Sequence, residues 1–327
     1  MHHHLCLSFA LALALALPAA ACGGDDGGAA VDAPGPDAML GDPAVLVGSF
    51  VVSLVDAEPP YTSVVGVVND KVPPEAVAWV VATTAGDCRL LKPRVPFCTP
   101  ACGGTAVCVA DNTCEPYAVK QDVGTVTLSG VRTSTGATSF DLVFPSSTIR
   151  TYQVPGTISL AYPGFAAGDT IAITATGSSF TPAFSISATA IAPLVVTNPD
   201  RDLARDAPLD LTWTPPTGGS ATEIFLKLDI SHHGGSKGKI ECTTADDGAL
   251  TLSAAMVTEL LDLGAAGFPT VILERRAVGS ALTTAGRVDL MIGSEIERPV
   301  TVPGVISCDG DEDCTPPATC QSDLTCG

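Results

Sequence analysis

Two clusters of four cysteines with nearly the same spacing limit what this chain can fold into. Cys98, Cys102, Cys108 and Cys114 read C-x3-C-x5-C-x5-C, and Cys308, Cys314, Cys320 and Cys326 read C-x5-C-x5-C-x5-C. Segments 102–114 and 314–326 align without a gap, Asp111 matching Asp323 and Thr113 matching Thr325. Segments so short bury no core, so their shape must come from cross-links. Four cysteines allow three connectivities, among which spacing does not choose; first-to-third and second-to-fourth is the expectation for each module. Cys88 and Cys242 are left over. They pair with each other, or one displaces a partner in the first module, or both stay reduced.

Cross-links need an oxidising compartment, and the start of the chain supplies a route to one. An apolar run from Leu5 to Leu17 is followed by Pro18, three alanines and Cys22, then a Gly/Asp tract. A membrane-spanning helix needs about 20 apolar residues, so this run reads as the core of an export signal. The arrangement resembles a bacterial lipoprotein signal, in which the cysteine becomes the lipidated first residue. Two features depart from that pattern: the first residues carry no Lys or Arg, and Ala19 stands where Leu is usual. Ala19-Ala20-Ala21 also fits an ordinary A-x-A cleavage site, which would make the protein secreted and soluble. Parity separates the readings. Of 12 cysteines, Cys6 leaves with the signal; plain secretion leaves an odd number, whereas lipidating Cys22 leaves an even set that can all pair. The resemblance, with Gly23 rather than Asp after the cysteine, implies an outer-membrane lipoprotein, periplasmic or surface-facing.

Residues 1–21 are thus the expected signal peptide, and 22–43 a lipidated cysteine with a linker. That linker is Gly, Ala, Asp and Pro with little to bury, and is expected to stay disordered. The rest is rich in Val, Ala, Thr, Gly and Pro and poor in Lys, Glu and Gln, a composition that favours strands and turns. The expected class is all-β: two or more sandwich-like domains, small disulfide-rich modules and one short helix. The divisions are 44–117, an N-terminal β region ending in a cysteine-rich module; 118–197, a β domain; 198–303, a sandwich-like domain with the helix; and 304–327, the second module. Strands are expected over 47–55, 61–69, 76–83, 123–131, 138–144, 170–175, 184–189, 209–214, 222–230, 239–243, 270–278 and 286–292. The Val-rich early runs alternate poorly, as strands covered on both faces do. Ser253 to Leu263 reads as the helix, with Ser253 as N-cap and Gly264 after its end. Leu211 to Pro216 resembles a strand of fibronectin-type or immunoglobulin-like sandwiches.

The pieces Gly86-Asp87-Cys88-Arg89-Leu90-Leu91, Val95-Pro96-Phe97-Cys98 and Cys102-Gly103-Gly104-Thr105-Ala106-Val107-Cys108 resemble a family of cysteine-containing envelope lipoproteins typical of myxobacteria and related predatory bacteria. Gly168-Asp169-Thr170 and Trp213-Thr214-Pro215 are similar too. The resemblance implies a location and an architecture and carries over no activity.

The net charge is −19, with 35 acids against 16 Lys and Arg. No basic stripe is present, so nucleic acid is not an expected partner; the membrane, through the anchor, and an envelope protein or glycan are. No catalytic constellation stands out, and neither enzyme activity nor a metal or cofactor is expected. His232 and His233 lie beside Gly234-Gly235 and read as an exposed hairpin loop; on a strand, adjacent side chains would point to opposite faces. Segment 234–239 lacks both ends of a phosphate-loop pattern. Asp309 to Asp313 offers alternating carboxylates, but Cys314 and Cys320 occupy the positions where an EF-hand needs Gly and Glu. It reads as a solvated acidic loop. Sugar binding would call on Trp79 or Trp213, and a carboxylate-dependent hydrolase on a pair of acids that the sequence does not single out.

Overall fold

The structure, a computed structural model, describes residues 46–145, 149–198, 201–217 and 222–327. Its strands are β1 (Leu46–Val55), β2 (Tyr61–Val68), β3 (Ala78–Ala85), β4 (Cys88–Arg94), β5 (Ala106–Ala110), β6 (Thr113–Pro116), β7 (Val126–Ser129), β8 (Ser139–Leu142), β9 (Tyr152–Gln153), β10 (Thr170–Ala175), β11 (Phe184–Thr189), β12 (Leu209–Thr212), β13 (Glu223–Asp229), β14 (Lys239–Ala245), β15 (Ala249–Leu252), β16 (Thr270–Leu282) and β17 (Arg287–Pro299). One helix, α1 (Ala254–Leu261), separates β15 from β16. The protein is all-β with small disulfide modules, as its composition implies.

Nine strands form one sheet in the order β3-β4-β14-β13-β16-β17-β1-β2-β9. Segments 44–117 and 198–303 supply eight of its strands, so those two share one sheet, while 118–197 adds only β9. β1 lies parallel to β17 and antiparallel to β2. Period-2 patterning explains the layering. Phe50, Val52 and Leu54 of β1, Ile224, Leu226 and Leu228 of β13, and Leu290 and Ile292 of β17 point to one face and are buried. Intervening residues such as Val51, Phe225, Lys227 and Met291 stay half-exposed on the other face.

Two covers sit side by side on the buried face. The first is a four-stranded sheet, β11-β10-β7-β8, whose Leu128, Ile171, Ile173 and Ile186 pack on Phe50, Val52, Leu290 and Ile292. There Gly279 of β16 meets the β11 backbone: a Cβ at 279 would lie 2.0 Å from the Ser187 carbonyl oxygen. The second cover is the β12–β15 pair with α1, whose Leu211, Leu252, Met256, Val257 and Leu260 pack on Ile224, Leu226 and Leu273. Ser253 caps α1 by accepting the Met256 N–H, satisfying one of the donors a helix start leaves free.

The Val-rich early strands differ from expectation. They are covered on one face rather than two, because the covers lie on one side only. The run expected over 76–83 is β3, an edge strand with Val80 and Val81 about half exposed (50% and 48%).

Candidate functional site

The ten cysteines from Cys88 to Cys326 close on one another. Cys98 joins Cys108 and Cys102 joins Cys114; Cys308 joins Cys320 and Cys314 joins Cys326. Each module is thus paired first-to-third and second-to-fourth. Cys88 and Cys242 face each other across the β4–β14 ladder and form the fifth bridge, buried beneath the second cover. The sulfurs of Cys98, Cys102 and Cys108 lie within 4.8 Å of one another, but a metal takes thiolates and these are in bridges. Cys22 lies outside the described residues.

The seam between the two covers holds the most demanding polar chemistry. Arg275 points into the core, 1% exposed. Its Nε and Nη2 donate to Asp246 Oδ2 (2.6 Å) and Oδ1 (3.0 Å). Nη1 donates to the carbonyls of Ala192 (3.3 Å) and Pro193 (2.9 Å), and Nη2 also to that of Thr214 (2.6 Å). All five guanidinium donors are therefore used. Asp246 accepts, in addition, the Trp213 indole N–H (2.7 Å) and the Thr222 hydroxyl (2.8 Å). Burial pushes its carboxyl up, but these hydrogen bonds and the Arg275 charge outweigh that and hold it below its ordinary value. The segment after β11 crosses the sheet here before it pairs beside β12 at Val195–Thr197; Arg275 satisfies the carbonyls of Ala192 and Pro193, and Ser294 Oγ accepts the Leu194 N–H (2.9 Å). Tyr152 does the same for the first cover, accepting the Val123 N–H (2.8 Å) against Asp122 and Gly124. These buried groups serve the scaffold.

The half-exposed face of the large sheet carries the free chemistry. Glu223 of β13 pairs with Arg276 of β16 (Nε–Oε1 2.5 Å), whose guanidinium lies over the Phe225 ring. Lys239 of β14 pairs with Glu241 (2.6 Å) and sits 4.2 Å above the ring of Trp79 at the β3 edge. Glu274 of β16 and Glu295 of β17 are direct cross-strand partners. Burial pushes Glu274 up to about 7, with Arg276 opposing and Glu295 and Glu223 adding. Burial and Glu297 also raise Glu295. Gly293 makes room for this: a Cβ there would lie 2.4 Å from Glu274 Oε1. Sequence reasoning missed these acids because only the register sets Glu274 opposite Glu295.

His232 and His233 lie in the turn between β13 and β14, as a hairpin loop requires, His233 exposed and His232 half-buried. His233 takes a left-handed backbone (φ 62°), which turns its side chain back so that the two ring centroids lie 4.0 Å apart. His232 Nε2 reaches Glu297 Oε1 of β17 at 3.3 Å. In the C-terminal module, Asp313 accepts the Asp309 N–H and Asp311 the Cys320 N–H, so those two carboxylates hold the loop. Trp213 is buried in the Arg275 knot, whereas Trp79 lies at the sheet edge.

No protein-family model matches the chain, and no curated protein matches it. Among solved structures, the FN1–FN3 domains of chicken CNTN1 match at 10% identity over 72% of this chain and 70% of that one, with a TM-score of 0.17. A likeness at that score carries no argument about fold or function.

Proposed function

We propose that the chain is a lipid-anchored protein of the bacterial cell envelope with a non-catalytic binding or structural role. Cys22 carries the lipid, the Gly/Asp-rich linker sets the body off the membrane, and the uncovered sheet face meets an envelope partner. One observation carries this reading: every cysteine from Cys88 to Cys326 is joined to another of the same set. Five bridges belong in an oxidising compartment, and their closure leaves Cys22 without a disulfide partner in the body. The buried charged and phenolic groups at the seam and under the first cover are committed to the scaffold, which supports a role without chemistry. The family resemblance points to the same location.

The test is detergent phase partition of the full chain made in a Gram-negative host, beside Cys22→Ala. The wild type should enter the detergent phase and the variant the aqueous phase; equal partition of both overturns the anchor.

Two observations favour alternatives. Trp79, with Lys239 over its ring, is the aromatic a glycan would stack on, and a Trp79→Ala loss of binding on a glycan array would favour a surface-polymer module. Glu274 beside Glu295 pairs a carboxyl of raised pKa with a second carboxyl, as glycoside hydrolysis requires. It lies on a sheet face, and only a Glu274-dependent activity in a hydrolase screen would move it ahead.

A further inference from the structure

We propose that His232, His233 and Glu297 form a binding site for a divalent transition-metal ion of the zinc class. Two imidazoles and a carboxylate are the donor set such ions prefer. The spacing of two donors already suits one ion: His232 Nε2 and Glu297 Oε1 stand 3.3 Å apart. Ligand atoms about 2.0–2.1 Å from a tetrahedral ion lie roughly 3.3 Å from each other. His233 supplies the third donor. Its ring lies against that of His232, centroids 4.0 Å apart, and the residue is exposed; its donor is not yet within 4.8 Å of the other two, so binding would turn this side chain toward the pair. The fourth position falls to water.

The loop is built to hold these rings. Phe268 N–H donates to the His232 carbonyl at 2.8 Å, and Gly234 N–H to that of Ser231 at 2.9 Å. Gly234 packs so closely that a Cβ there would lie 2.2 Å from the Gly267 nitrogen. That nitrogen in turn donates to the Asp323 carbonyl of the C-terminal module at 2.7 Å. The loop is therefore clamped between sheet and module, and the left-handed turn that aims His233 at its neighbour is fixed. Glu295, on the same sheet face as Glu297, adds negative potential that draws a cation to this end.

The experiment titrates Zn2+ against the full chain in an oxidised, purified form, with His2, His3 and His4 changed to Ala so that only the loop histidines remain. A competing chromophoric chelator reports affinity, and imidazole NMR signals report the ligands. One equivalent should bind in the micromolar range or tighter, with both rings of 232 and 233 shifting. His233→Asn keeps a residue that tolerates the left-handed backbone and should weaken binding at least tenfold with an unchanged melting temperature; Glu297→Gln should weaken it severalfold. Absence of one-to-one binding, an unchanged affinity in His233→Asn, or equal competition by Ca2+, which would mark general attraction to acids, overturns the site.

Discussion

Single residues decide the seam and the charged face in opposite ways. Arg275 is buried with every donor matched, so removing it strands Asp246 and three carbonyls at once. Breaking a buried pair by deleting one partner costs about 3–5 kcal/mol. Arg275→Met should lose that much in a denaturant melt, and Arg275→Lys nearly as much, because one ammonium cannot serve partners in two directions. Asp246, held below its ordinary pKa, contributes stability above the unfolded value that is lost as pH falls through the folded one. Glu274 has the reverse sign. Its contribution is whole below the unfolded value of 4.5 and is lost as pH climbs through about 7. Glu274→Gln, neutral throughout, should raise stability at pH 8 by about 1–3 kcal/mol and change little at pH 4.5. A melt at the two pH values checks both magnitude and direction.

At the scale of elements, the β3–β4 edge depends on one covalent tie. β4 pairs with β14 only over Cys88–Leu91, and the Cys88–Cys242 bridge lies within that stretch. Replacing both cysteines by Ala should cost about 2–4 kcal/mol, and hydrogen exchange should rise in β3 and β4 ahead of β13 and β16. The same stretch shows where the sequence stops being legible. Thr170–Ala175 and Phe184–Thr189 are recovered to the residue because polar and apolar positions alternate between clear turns. β4 is not among the strands expected from sequence; its Pro93 lies opposite Trp79 of β3 and beyond the β14 ladder, at an end of the strand where Pro is tolerated. α1 was readable from its cap. The histidine pair lies in the turn that Gly234-Gly235 marks, but the left-handed backbone at His233 that brings its ring against that of His232 leaves no signal in the residue type. Register, which brings Glu274 to Glu295 and Arg275 to the crossing segment, leaves no local trace.

At the scale of the molecule, one long sheet is shared by two cores, with a cross-linked module at its C-terminal end. That module touches the body through Gly267, which donates to Asp323 and accepts the Ser307 hydroxyl. Changing Cys308 and Cys320 to Ala should cost about 2–5 kcal/mol locally. Amide protection should fall over 306–327 and at 266–268 while the sheet stays protected; loss of protection in β16 and β17 would show that the module braces the whole sheet. The parallel β1–β17 pairing has a further consequence, in time rather than in space. Among the described strands β1 is the first to leave the ribosome, yet its neighbours are β2, which follows at once, and β17, which ends at Pro299. Contacts so distant in sequence form late, and the central strands cannot close until β17 has emerged. A chain exported as a thread, N-terminus first, would meet that requirement, staying open during passage and shutting only once β17 is through.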